Sequence, residues 1–314
     1  SKLVTIFGGS GFVGRYIARR MAKEGWRVRV ATRRPNDALF VRPYGVVGQV
    51  EPVQANIRDD ASVRAVLKGA DAVVNCVGTF DKGGKNNFDA VQVEGAERIA
   101  RLAAEEGLAR MVHISAIGAD EEADSLYATS KGKGEAAVLT HMPDAVILRP
   151  SVIFGNEDAL FNRFATMTRF SPVLPVVGGE TKFQPVYVDD VARAGVKGVL
   201  GQAAGGVYEL GGPEVMTFRE MMREMLSVLR RRRAIINLPF FVAGPMASIM
   251  DLGQTITLGL VPAQITRDQV RQLHHDNIVA SDAQGFAALD IEPTAMEAVL
   301  PDYLWRFRPS GQYA

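Results

Sequence analysis

Gly8, Gly9, Gly11 and Gly14, within Ile6-Phe7-Gly8-Gly9-Ser10-Gly11-Phe12-Val13-Gly14, have the spacing of a turn that can hold a pyrophosphate. Such a turn bends tightly, lets the backbone come close to the phosphates, and aims N–H groups and the positive end of a helix at them. Gly8, Ser10, Gly11, Phe12, Val13 and Gly14 are the candidate ligands, against the plain alternative of an ordinary tight turn. About twenty residues on, where a carboxylate would accept bonds from an NAD ribose, the chain has Thr32-Arg33-Arg34. Guanidinium groups there suit a 2′-phosphate, so the reading is NADP(H) over NAD(H), with one of the two arginines left as a solvated charge. Tyr127 and Lys131 lie four apart in Tyr127-Ala128-Thr129-Ser130-Lys131 and share a helix face. An ammonium near the phenol lowers its pKa, so that it can pass a proton to a carbonyl as a nicotinamide passes a hydride. The competing reading is a helix-surface pair.

The elements that position these groups follow from apolar spacing. Leu3 to Phe7 reads as a buried strand, and Val13, Ile17 and Met21 mark one face of a helix over 12–24. Strands are expected at Trp26 to Ala31, Val50 to Ala55, Ala72 to Val77, Met111 to Ser115 and Ala145 to Leu148. Helices are expected at Asp59 to Leu67, Phe88 to Glu106 and Ser125 to Leu139. This alternation predicts an α/β fold, a Rossmann-type doubly wound parallel sheet, with a smaller, mostly helical C-terminal lobe. Ligands of such sheets bind beyond the strands' carboxyl ends, so Asn56-Ile57, Val77-Gly78, Ser115-Ala116 and Pro150-Ser151 should line one crevice. The expected division is an NADP(H)-binding domain over 1–155, completed by about 184–215, with 156–183 and 216–314 forming the smaller lobe.

Composition sets bounds on function. With 314 residues and 47% hydrophobic content the chain can bury a large core, and a net charge of +1 leaves no electrostatic footprint for nucleic acid. A lone cysteine, Cys76, excludes an internal disulfide and fits a reducing compartment. His113, His141, His274 and His275 lack metal-ligand spacing, and the adjacent pair is expected on different faces of a helix. No secretory signal is expected before the first strand.

These motifs together resemble the short-chain dehydrogenase/reductase superfamily in its extended or atypical branch. The resemblance rests on Gly8-x-x-Gly11-x-x-Gly14, Asn75-Cys76-Val77-Gly78, Tyr127-x-x-x-Lys131, Leu148 through Gly155, and Val186-Tyr187-Val188-Asp189-Asp190-Val191-Ala192. It implies that Asn56 and Ile57 flank the adenine, that Val77 and Gly78 pass beside the nicotinamide ribose, that Lys131 binds ribose hydroxyls, and that Pro150 and Val152 complete the cofactor site. Active members usually carry a Ser or Thr pair after the fifth strand, whereas this chain has Ser115 followed by Ala116. Loss of one polarising hydrogen bond typically removes two to three orders of magnitude of rate. The catalytic set Tyr127, Lys131 and Ser115 is therefore expected either to be vestigial or to retain only a little turnover through Tyr127 and Lys131.

A narrower resemblance is to the nucleotide-binding accessory subunits of respiratory complex I, the NADH:ubiquinone oxidoreductase. Its marks are Ile6 to Arg15, Arg42-Pro43-Tyr44-Gly45, Val112 to Ala119, Gln184 to Ala192, and Leu300 to Phe307. It implies a tightly bound, mainly structural NADPH, other complex I subunits as partners, and a peripheral place on the cytoplasmic face of a bacterial inner membrane or the mitochondrial matrix side. The alternative is a free NADP-dependent reductase, epimerase or dehydratase. In the C-terminal lobe, Thr217 and Glu220 predict a capped helix ending in Arg230 to Arg233. The apolar run from Ala234 to Met250 is too short and too broken by Pro239 and Pro245 to span a bilayer. It either fills the lobe's core, with the arginines capping the helix, or joins them against a membrane surface or partner groove. Further helices are expected from Thr266 through Leu273 and from Pro293-Thr294 onward.

Overall fold

The computed structural model describes residues 2–79, 84, 87–241, 266–309 and 311. Its strands, in chain order, are β1 (Leu3–Phe7), β2 (Arg27–Thr32), β3 (Val50–Gln54), β4 (Ala72–Asn75), β5 (Met111–Ile114), β6 (Val146–Pro150) and β7 (Ile153–Phe154). They continue with β8 (Val173–Val177), β9 (Lys182–Phe183), β10 (Val186–Tyr187), β11 (Gly206–Leu210), β12 (Met216–Thr217) and β13 (Ala234–Leu238). The helices used below are α1 (Phe12–Lys23), α2 (Asp60–Leu67), α3 (Glu94–Glu105), α4 (Leu126–His141), α5 (Leu160–Phe170), α6 (Val188–Leu200), α7 (Phe218–Leu229), α8 (Arg267–Gln272) and α9 (Met296–Leu304).

Two compact units share the chain. The first takes residues 1–150, 188–211 and 279–293; the second takes 151–187, 212–278 and 294–314. The sequence reading placed 151–155, 184–187 and 212–215 on the nucleotide side and did not bring 279–293 there.

In the first unit seven parallel strands lie in the order β11-β6-β5-β4-β1-β2-β3. The order reverses between β1 and β4, which opens a crevice at their carboxyl ends. One face of the sheet packs under α2, α3 and α4 through Phe7, Leu67, Ile99, Leu102, Met111 and Ile147, all essentially inaccessible. Burying each such side chain contributes about 1.5–3 kcal/mol. On the other face α6 passes so near the sheet that a Cβ on Gly198 would lie 2.6 Å from Val112 Cγ2. Two differences from the sequence reading matter here. β11, with no expected strand in its place, pairs with β6 and completes the sheet. The long helix expected over Phe88 to Glu106 opens instead with a π-helical turn, Asp89–Val93, before α3 begins. α4 packs so tightly on that turn that any Cβ at Gly134 would collide with Gln92 O, and Ser130 Oγ donates to Gln92 Oε1 at 2.9 Å.

The second unit packs α5, α7 and α9 around Phe154, Phe161, Met221, Met225 and Leu300. Three two-stranded pairs, β7 with β10, β8 with β13 and β9 with β12, edge it. α7 starts at the expected Thr217–Glu220 capping box but ends at Leu229, where Arg230 turns into the left-handed region at φ 54°. The arginines therefore follow the helix rather than finishing it. Ala234–Leu238 is a parallel strand that fills the core only in part: Ile235, Leu238 and Phe240 pack against the unit's apolar clusters, Ala234, Ile236 and Asn237 are exposed, and 242–250 of the apolar run lie outside the described residues. α8 ends before His274, whose ring stacks on Phe240 at 3.8 Å, so the two histidines follow the helix rather than occupy faces of it. The last helix, α9, starts at Met296, two residues after Thr294. Among the described residues no helix is long and apolar enough to cross a membrane, and no cluster of His, Cys, Asp and Glu could hold a metal.

Candidate functional site

The Gly-rich turn joins β1 to α1 at the point where the strand order reverses. Gly8, at φ +72°, donates its N–H to Ala31 O at 3.1 Å, and a Cβ there would meet Cys76 and Val77 backbone at 3.1–3.2 Å. A Cβ on Gly14 would lie 2.7 Å from Gly9 Cα and closer than 3.0 Å to Gly8 O. α1 has extended Gly11 as its N-cap, no capping side chain and no acidic residue in its first turn. The first intrahelical bond is Arg15 N–H to Gly11 O, so the N–H groups of Phe12, Val13 and Gly14 have no acceptor within the helix. An uncapped N-terminus without negative charge, reached over a glycine turn, fits a pyrophosphate.

Around it the strand ends bring up the other candidates. Ser10 Oγ donates to Thr32 Oγ1 at 3.4 Å, which ties the turn to the end of β2. Arg33 and Arg34 follow, both exposed; Arg33 has no ion pair among the described residues, and Arg34 lies 3.9 Å from Asp37. Asn56 and Ile57 follow β3. Asn56 Oδ1 accepts from Arg58 N–H, and Ile57 packs toward α3, its Cδ1 2.8 Å from where a Gly95 Cβ would stand. Ile57 therefore belongs in part to the core beneath the loop. Pro150 ends β6 within this unit, whereas Val152 lies in the second unit.

At the β4 and β5 ends lies a buried polar group that the sequence reading did not assign to the site. Asn75 Oδ1 accepts from Val77 N–H at 3.1 Å, fixing the loop that carries Val77 and Gly78, and Asn75 Nδ2 donates to His113 Nδ1 at 3.1 Å. This bond assigns the imidazole proton to Nε2, which is buried without a partner, as is Ser115 Oγ. Burial, with Lys131 nearby, pushes the His113 pKa down to about 3. A polar residue inside the apolar run Met111-Val112-His113-Ile114 was the signal for it.

Tyr127 and Lys131 lie on α4, whose N-cap Ser125 accepts from Ala128 N–H at 3.3 Å. Lys131 Nζ donates to Ile114 O at 3.1 Å, and it stands 5.9 Å from the Tyr127 ring centroid. Desolvation lowers the Lys131 pKa to about 8 against the pull of Glu135, and it raises the Tyr127 phenol to about 12. The expected depression of the phenol is thus reversed, because burial outweighs an ammonium committed to a carbonyl. Burial likewise pushes the neighbouring Cys76 thiol up to about 12. One turn beyond Lys131, Glu135 receives a two-pronged bond from Arg149 at 2.6 and 2.9 Å, which fixes α4 to β6.

Known proteins resemble this chain in sequence and in fold. The model of the NAD dependent epimerase/dehydratase family matches residues 4–211. A subunit of Arabidopsis thaliana, NADH dehydrogenase [ubiquinone] 1 alpha subcomplex subunit 9, mitochondrial, is 34% identical over 98% of this chain and 79% of its own. The NADH-ubiquinone oxidoreductase 40 kDa subunit, mitochondrial, of Neurospora crassa is 30% identical over 98% of this chain and 80% of its own. The crystal structure of dTDP-glucose 4,6-dehydratase from Bacillus anthracis in complex with NAD superposes with a TM-score of 0.73, at 16% identity, over 97% of this chain and 96% of that one. The match from β1 through β11, taken with a glycine turn at the reversal of the sheet and Tyr127 and Lys131 on one helix, means that the chain belongs to the NAD dependent epimerase/dehydratase family.

Proposed function

We propose that this chain is a nucleotide-binding accessory subunit of respiratory complex I that holds NADPH tightly and uses it mainly to stabilise its own fold and the assembly. The observation that carries the reading is the state of the catalytic groups. By the resemblance Ala116 stands where active members carry a hydroxyl, Lys131 donates to Ile114 O, and the half-buried Tyr127 phenol holds its proton more firmly than a free tyrosine. In the reading, Gly8, Ser10, Gly11, Phe12, Val13 and Gly14 hold the pyrophosphate, while Thr32, Arg33 and Arg34 take the 2′-phosphate. Asn56 and Ile57 flank the adenine, and Val77, Gly78, Tyr127, Lys131, Pro150 and Val152 take the nicotinamide half. Bound nucleotide stabilises the folded state by RT ln(1 + [L]/Kd), which reaches about 4 kcal/mol at a thousandfold excess over Kd. The near-full-length likeness to subunits of NADH-ubiquinone oxidoreductases supports a place among complex I subunits, peripheral to a bacterial inner membrane on its cytoplasmic side or to the mitochondrial matrix face. Arg230 to Met250 is the proposed contact with that surface.

The deciding experiment is mild-detergent purification of the tagged chain from native membranes, with mass spectrometry of the co-purifying chains and of the nucleotide released on denaturation. Complex I subunits with about one NADPH per chain are the expected result; a chain recovered alone with exchangeable nucleotide would overturn the reading. The second reading, a free NADP-dependent reductase, epimerase or dehydratase, is favoured by Tyr127 and Lys131 remaining on one face of α4. It requires hydride transfer that disappears in Tyr127→Phe.

Cofactor choice has its own test. Arg33→Ala with Arg34→Ala is expected to weaken NADPH binding at least tenfold, since a charge-assisted bond contributes about 1.5–3 kcal/mol, and to leave NADH binding nearly unchanged. Equal losses for the two nucleotides in calorimetric titrations would sink the phosphate clamp.

A further inference from the structure

Five arginines crowd one cavity of the second unit. The cavity, about 510 Å³, is lined by Arg219 and Arg223 of α7, by Arg231, Arg232 and Arg233 of the turn after it, and by Leu226, Ala234 and Ile235. No carboxylate lines it. The acids nearest in the structure's interactions are Glu180, which pairs with Arg219 at 3.2 Å from a largely exposed position, and Glu220, whose Oε2 is taken by Thr217. Two guanidinium groups are held in place by backbone: Arg231 Nε donates to Phe307 O and Arg233 Nε to Thr168 O, each at 3.0 Å. Desolvation, then the charges of Arg233 and Arg169, hold the Arg231 pKa below its ordinary value. The side chains of Arg223 and Arg232 form no hydrogen bond or ion pair among the described residues.

Five like charges gathered against a single paired carboxylate, the largely exposed Glu180, destabilise the fold that gathers them, so an arrangement that also anchors two of them calls for an anion. Helix capping does not account for it, because Arg230 already ends α7, and Arg231 and Arg233 are bound to other elements. We infer that the cavity is a binding site for a phosphate group borne on an organic body. The guanidinium fork matches phosphate oxygens in pairs, and five such groups exceed what one carboxylate could balance. The hollow is open to solvent and has room for more than a bare phosphate, while Leu226 and Ile235 offer apolar surface beside the charges. A soluble phosphorylated metabolite and the headgroup of an anionic phospholipid share this chemistry. The inference goes beyond the assembly reading and stands without it.

The test uses the full chain with two probes. One is inorganic phosphate, read by calorimetry against sodium chloride at matched ionic strength. The other is vesicles of phosphatidylglycerol in phosphatidylcholine, read by co-sedimentation. Arg223→Gln with Arg232→Gln removes two exposed guanidiniums that hold nothing else in place, and Arg231→Gln removes an anchored one. Lys23→Gln with Lys68→Gln, in the first unit, lowers net charge equally. The pocket variants are expected to weaken phosphate binding about tenfold per guanidinium, and the lysine control to leave it unchanged. If vesicle binding falls in parallel, the phosphate comes from lipid; if vesicles bind no variant while phosphate does bind, the ligand is soluble and the membrane contact proposed above fails alone. Absence of phosphate binding, or equal loss in the lysine control, overturns the site. So does vesicle binding that ignores the arginines, which would leave membrane contact without a pocket.

Discussion

Gly14→Ala is expected to lower stability by about 3 kcal/mol or more and to release the bound nucleotide. The added Cβ would meet Gly8 O, Gly9 Cα and Gly8 C, each closer than 3.0 Å. All three are backbone atoms of the turn itself, so no rotamer change relieves the clash, and overpacking of this kind typically costs 1–3 kcal/mol before any ligand is lost. The turn must move away from α1, and with it the N–H groups that would face the pyrophosphate. Gly25→Ala is the comparison, because Gly25 also has positive φ, at +77°, but open space around its Cβ. It should cost about 1 kcal/mol and leave nucleotide content intact. Urea midpoints and nucleotide released per chain measure both, and a Gly14→Ala protein that keeps its NADPH would show that the turn does not cradle it.

Acid should unfold this protein earlier than its carboxylates alone would require. His113 titrates at about 3 when folded, against 6.5 ordinarily, because burial and Lys131 oppose the imidazolium. Between those values the unfolded chain binds the extra proton, so the contribution of a neutral His113 is complete above pH 6.5 and is lost as pH falls toward 3. The slope is about 1.4 kcal/mol for each pH unit across that window. Asp60, Glu105 and Glu220, whose carboxyls are held low by bonds to arginines or to Thr217, add their losses only at lower pH. Melting temperatures between pH 6.5 and 5 therefore isolate the histidine. A His113→Gln protein, which keeps an amide for Asn75, is expected to lose most of the slope; an unchanged slope would place the acid sensitivity elsewhere.

What could be read from the chain divides along physical lines. β1, the glycine turn and α1 were legible because each depends on residues within two dozen positions: an apolar run, four glycines, and Val13, Ile17 and Met21 at helical spacing. The capping box at Thr217 and the helix start at Thr266 were legible for the same reason. β11 was not, since Gly206–Leu210 is a short segment whose partner, β6, lies some sixty residues back. The π-helical turn at Asp89–Val93 depends on contact with α4, which no local period reports. In the site, Tyr127 and Lys131 were found by spacing, but the sign of the phenol's shift was not. Spacing gives the distance to a charge; it does not give desolvation, which outweighed the charge here. Asn75 and His113 carried only the faint mark of polar residues in apolar strands.

The first unit is assembled from three separated stretches, and its last one ends at residue 293. During synthesis at about 5–20 residues per second, roughly 7–30 seconds pass between the emergence of residue 150 and that of residue 293. Through that interval β6 has no neighbour on its outer side until β11 arrives, and the 279–293 stretch that supplies a backbone bond to Glu209 is missing for longer still. A ribosome-bound chain of this kind exposes an unsatisfied sheet edge, the feature that invites pairing with other chains. The nascent protein is thus one that chaperones would be expected to shelter, and a gene truncated near residue 150 would encode an aggregating fragment rather than a minimal nucleotide binder.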